Sequence, residues 1–237
     1  MLKKVIRFNL DDLLLYLGVE GGIFLLIQLV IGGVMVLLKP ADGILISDII
    51  LPIVAGILIL LSGVTHVTVT FEQALRFGQT RRRAVGLTAG LMAFEGVCAL
   101  GCAALLALVE RYLSPPLWAW LAGRGHWVVD YPGASGALED CLVLNSFQLD
   151  WQYYPAILAI GLGGGLVGGA IIQRFGSKGA WILWGIWMAA CFVPQMMGRE
   201  VFAIGDWNAY MIGSCVVLGI GCLVWSLWSL LHAVVKG

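Results

Sequence analysis

Six long apolar runs, separated by polar stretches, organise this chain. They cover Gly21–Leu38, Ile49–Thr70, Val85–Val109, Pro155–Gln173, Gly179–Met197 and Tyr210–Val235. Each approaches the roughly 20 mostly apolar residues that a helix needs to cross a bilayer. They are too long and too continuous for barrel strands, and open strands leave their backbone unsatisfied in lipid. The pattern predicts an all-α fold, a polytopic membrane bundle of six transmembrane helices forming one permease-like domain over 1–237. Ahead of the first run, Leu2, Val5, Ile6, Leu10, Leu13 and Leu17 fall on one helical face, with Asn9 as N-cap and Asp11 and Asp12 in the first turn. Residues 1–20 are therefore expected to form an amphipathic helix on the inner membrane surface. The alternative is a plain extension of the first span.

Composition strengthens this picture. Sixty per cent of the 237 residues are hydrophobic and 12% are charged, against about 25% charged in soluble domains. Lysine plus arginine balance aspartate plus glutamate at 14 each, so net charge points to no partner, and no nucleic acid is expected. The placement of charge is informative. With both termini inside, ten basic residues face the cytoplasm, among them Lys3, Arg76, Arg81, Arg82, Arg83 and Arg174. Four face outward: Lys39, Arg111, Arg124 and Arg199. Basic residues favour the cytoplasmic side, which predicts N-in and C-in. The early Asn9, Asp11 and Asp12 argue against a cleaved leader.

Five of the six cysteines (Cys98, Cys102, Cys191, Cys215 and Cys222) lie in predicted spans, and Cys141 lies in a loop. Packing is the expected role, since no His or carboxylate is spaced with Cys98 and Cys102 to form a metal site. Glu95 reads as the one carboxylate deep in a span. Such residues usually face the protein interior or water. Structural hydrogen bonding, contact with a substrate or gate, and proton coupling all remain open, with His66 as a candidate proton partner. The segment 110–154 carries Trp118, Trp120, Trp127 and Trp151 and is expected outside. It reads as an aromatic belt, a substrate gate or a partner surface. Gly161, Gly165 and Gly169 are four apart, a spacing that lets membrane helices approach closely. No nucleotide loop, nucleophile elbow or zinc motif occurs in the sequence, so no catalytic or metal site is expected.

Between runs 2 and 3 lies Phe71-Glu72-Gln73-Ala74-Leu75-Arg76-Phe77-Gly78-Gln79-Thr80-Arg81-Arg82-Arg83. Phe71, Ala74, Leu75 and Gly78 share a face, and the three arginines alone would read as a topology signal that binds anionic lipid. The pattern Phe-x-x-Ala-Leu-x-Phe-Gly-x-Thr-Arg-Arg after the second of six spans resembles the small permeases of bacterial ABC exporters of the type-2 family. The resemblance implies a cytoplasmic coupling loop over 71–84 that docks on a separate ATPase through Phe71, Leu75, Arg76 and Phe77. Arg81, Arg82 and Arg83 would anchor the loop at lipid headgroups. It further implies ATP and Mg held by that ATPase rather than by this chain, a second permease chain, identical or homologous, and a bacterial cytoplasmic membrane location. The exported substrate would be an amphipathic peptide, antibiotic or lipid. One departure stands out: the family's outer hairpin lies between spans 5 and 6, where this chain has only 198–208, and the bulky outer segment lies between spans 3 and 4. A self-sufficient carrier or channel using Glu95, and a membrane scaffold or sensor, are the competing expectations.

Overall fold

The computed structural model describes residues 10–130, 140–196 and 207–232. In chain order the elements are α1 (Leu10–Leu38), β1 (Asp42–Leu45), α2 (Ser47–Thr65), a π-helical turn (His66–Thr70) and α3 (Phe71–Arg76). Next come α4 (Arg81–Ala122), β2 (His126–Val129), β3 (Cys141–Ser146), α5 (Tyr153–Phe175), α6 (Ser177–Met196) and α7 (Trp207–Leu231).

The chain is mostly helical, and four helical stretches are long and apolar enough to cross a membrane: Leu10–Leu38, Ser47–Arg76, Arg81–Ala122 and Tyr153–Phe175. The helices α6 and α7 coincide with the fifth and sixth apolar runs. Leu25, Leu26 and Leu29 of α1 are 61%, 63% and 76% exposed. Water-soluble surfaces rarely carry apolar stripes of this size, and the long apolar helices fit a multi-pass membrane protein. With 42 residues, α4 is about 63 Å long at 1.5 Å per residue. A hydrocarbon layer of about 30 Å cannot contain all of it.

Three expectations need correction. The fold is not purely α-helical, because β1, β3 and β2 form a parallel sheet in that order. Asp42 to Leu45 pair with Val143 to Ser146, and His126 to Val129 pair with Cys141 to Leu144. The segment 110–154 is not a free outer loop: its first residues continue α4 as far as Ala122, although Pro115 and Pro116 remove two ladder donors. Residues 10–20 run unbroken into the first span, since neither a proline nor a capping side chain separates them. The remaining part of the expected surface helix, 1–9, lies outside the described residues, as does most of 198–208.

Two compact units divide the chain, one of residues 1–58 and 95–159, the other of 59–94 and 160–237. In the first, Leu142 and Leu144 of β3 and Leu45 of β1 pack against Met35 of α1 and Trp118, Ala119 and Ala122 of α4. Gly43 permits this closeness, because a Cβ there would lie 2.6 Å from Leu144 Cδ2. In the second, Val67, Phe71, Ala74, Ala84, Met92, Ala170 and Leu230 form the core.

Candidate functional site

The Arg-rich turn belongs to the second unit. The helix from Ser47 reaches Arg76 with one extra residue inserted at His66–Thr70, where the Phe71 amide bonds the His66 carbonyl. Within that insertion His66 Nδ1 lies 3.0 Å from Thr70 Oγ1. The helix then stops in a Schellman arrangement: the Gln79 amide donates to the Ala74 carbonyl at 3.1 Å and the Gly78 amide to Leu75 at 3.0 Å. Gly78 takes φ +76°, which a side chain would resist. The expected coupling loop is thus a four-residue turn, Phe77–Thr80, between two helices.

The four predicted docking residues separate. Phe71 is fully buried in the core of its own unit, and Leu75 packs on that core. Arg76 is held by Glu72 at 2.8 Å. Phe77 is 84% exposed at the tip. Beyond it, Arg81, Arg82 and Arg83 are exposed. Arg81 Nη1 donates to the Leu231 carbonyl at 3.2 Å, which ties the turn to α7.

Close helix packing sits below the turn. A Cβ at Gly165 would fall 2.8 Å from Gly63 Cα, and one at Gly169 would fall 2.4 Å from Val67 Cβ. These glycines let α5 approach α2 within this chain, and Gly161 is buried as well. Ser226 Oγ donates to the Leu166 carbonyl at 3.2 Å, and the Arg174 guanidinium lies 5.7 Å from the centre of the Trp225 ring.

The first unit holds a polar network that the sequence reading missed. Glu110, placed there in an outer loop, is a buried residue of α4. Its carboxylate accepts from the Ser47 amide at 2.9 Å, from Ser47 Oγ at 2.8 Å and from Gln28 Nε2 at 3.0 Å. Gln28 Oε1 accepts in turn from Ser114 Oγ at 2.8 Å. A buried carboxylate is thereby satisfied at the N-terminus of α2, where a helix favours negative charge. Asp48 in the next position accepts from the Leu149 amide and from Tyr154 Oη, each at 3.3 Å. Ser47-Asp48 immediately before an apolar run is a helix-start signal, and it was the available clue.

Beside this network is a cavity of about 470 Å³. Leu45, Ala104, Ala107, Leu108, Phe147 and Trp151 supply apolar wall, and Asp48, Glu110, Arg111 and Tyr154 supply polar atoms. Of the three tryptophans named as a possible gate, none lines it. Trp118 is buried in the sheet core, while Trp120 and Trp127 are 74% and 45% exposed. Nearby, Asp130 clamps the ends of β2 and β3. Its carboxylate accepts the Ser146 hydroxyl and, at 2.6 Å, the Ser146 amide. The hydroxyl bond chiefly, helped by the amide and by the Arg111 charge, holds the Asp130 carboxyl below the usual carboxylate range.

Glu95 is not the sole carboxylate within the spans. Glu20 of α1 is fully buried, neither of its oxygens has a hydrogen-bond partner by geometry, and the thiol it faces is that of Cys102. Glu95 is itself buried and engaged within the chain, with Cys98 one turn along α4. No group of three His, Cys, Asp or Glu side chains that would suit a metal ion occurs among the described residues. None of the family models, curated proteins or solved structures compared with this chain matches it.

Proposed function

We propose that this chain is the membrane-spanning subunit of an ATP-driven exporter of the type-2 ABC class. In that role it has six spans with both termini inside, in a bacterial cytoplasmic membrane. The observation that carries this reading is the tip Phe77-Gly78-Gln79-Thr80-Arg81, a rigid turn between two long apolar helices that presents one exposed aromatic ring beside three arginines. A rigid helical hairpin transmits a push at its tip along both helices, as a coupling element must. ATP and Mg would be bound by the separate ATPase, and a second permease chain would complete the path. The substrate would be amphipathic, and this chain would do no chemistry. Its work would be to hold two arrangements whose populations nucleotide binding shifts.

The buried positions refine the roles. Phe71 and Leu75 brace the hairpin from inside, Arg76 is held by Glu72, and Phe77 is the docking contact. Arg82 and Arg83 would sit at phosphate headgroups, with Arg81 tied to α7. The test is purification from native membranes under mild conditions. An ATP-hydrolysing partner is expected with the parent chain and with Arg82→Gln, and its loss is expected with Phe77→Ala. Equal recovery of that ATPase with Phe77→Ala would remove the docking role.

A second reading is favoured by Glu20 and Glu95, two buried carboxylates in span helices. In a self-sufficient carrier, Glu20→Gln or Glu95→Gln would abolish solute flux in liposomes without ATP. Absence of flux in the parent chain alone would eliminate this reading.

A further inference from the structure

We propose that the cavity beside Ser47 and Glu110 is a binding site for a hydrophobic organic cation. Its volume, about 470 Å³, is in the range of small-molecule sites, which are mostly apolar with a few placed polar groups. The charges within it are unequally occupied. The Glu110 oxygens are taken up by Ser47 and Gln28. The Arg111 charge is directed to Asp130. Asp48 has only two contacts, both long at 3.3 Å, and no cationic side chain pairs with it among the described residues. An ionised carboxylate has about four acceptor sites, so Asp48 retains room for a ligand. Trp151 lines the cavity and is 82% exposed, which places an aromatic face at the opening. Aromatic rings with a carboxylate are the chemistry that selects an organic cation over a neutral molecule of the same shape. Leu108 and its neighbours on α4 would take the hydrocarbon body.

The inference is independent of the transport reading, since a chain that docks no ATPase would still bind such a cation. The full chain in nanodiscs is to be equilibrated with tetraphenylphosphonium and, separately, with tetraphenylborate, a matched pair of opposite charge. Empty nanodiscs give the lipid background. Saturable binding of the cation alone is expected. Asp48→Asn should weaken it by about tenfold or more, the equivalent of one charge-assisted contact, and Arg111→Gln should leave it intact. Leu108→Trp, which fills the cavity while keeping Asp48, should also abolish it and carries the test if Asp48→Asn does not fold. Equal binding of both ions, an anion preference lost with Arg111→Gln, unchanged affinity in Asp48→Asn or Leu108→Trp, or no saturable binding would each overturn the proposal.

Discussion

Helix α3 stops at Gly78 and helix α4 stops at Gly123, both with left-handed glycines and the same pair of backbone bonds. At the second stop the Arg124 amide reaches the Ala119 carbonyl at 2.8 Å and the Gly123 amide reaches Trp120 at 3.1 Å. The surroundings differ. After Gly123 the chain enters a sheet whose leucines cover Trp118. After Gly78 it turns directly into the next helix, with Phe77 bare and arginines close behind. Identical stop chemistry thus gives a packed cap in one region and a presented tip in the other. The residues beyond each glycine decide the outcome: leucine and valine can recruit a sheet, whereas Thr80-Arg81-Arg82-Arg83 cannot be buried. An aromatic residue near a helix end is therefore core or contact according to its phase on the helix.

The largest expected effect separates the two phenylalanines of the turn region. Phe71→Ala empties a fully buried position and should destabilise the protein by about 3–5 kcal/mol, whereas Phe77→Ala should stay within about 0.5 kcal/mol of the parent. Thermal unfolding in nanodiscs measures both, and equal shifts would erase the distinction between brace and tip. In the sheet region, Glu110→Ala leaves the Ser47 amide and Gln28 without their acceptor and should destabilise by about 2–4 kcal/mol. A shift below about 0.5 kcal/mol would mean that water replaces the carboxylate and that the network holds nothing together.

A smaller effect is expected under the turn. Gly169→Ala places a methyl on Val67 and should destabilise by about 1–3 kcal/mol; an unchanged melting temperature would show that α5 and α2 are not in close approach. The smallest effect concerns pH. Asp130 has a lowered folded-state pKa, so its contribution is present above the ordinary aspartate value near 3.8 and is lost as pH falls through the lowered value. Below pH 4 the β2–β3 clamp should loosen in hydrogen exchange. Asp130→Asn should remove that pH dependence, and an identical profile in the variant would assign the loosening to another group.

The helices were legible because their apolar runs are long, and Gly78 and Gly123 were readable as stops. The face of Phe71, Ala74 and Leu75 was legible too, but its partner was not. Amphipathicity says that a face is covered, and here the cover comes from Ala84 and Leu230 of the same unit. The sheet was hidden because its strands have four to six residues and because Asp42 pairs with Val143, far away in sequence. Glu110 was misplaced because α4 continues through Pro115-Pro116, a pair that ordinarily signals a helix end. Glu20 was passed over because it stands at the edge of an apolar run, where a carboxylate reads as solvated.

Contact between Phe77 and an ATPase is the central claim. The most direct measurement places a photoreactive phenylalanine analogue at position 77, and at position 112 as a control where Tyr112 is 71% exposed on α4, with irradiation of native membranes. An adduct with an ATP-hydrolysing chain is expected from position 77 and none from position 112. Adducts from position 77 with lipid alone, or with a protein that hydrolyses no ATP, would contradict the claim.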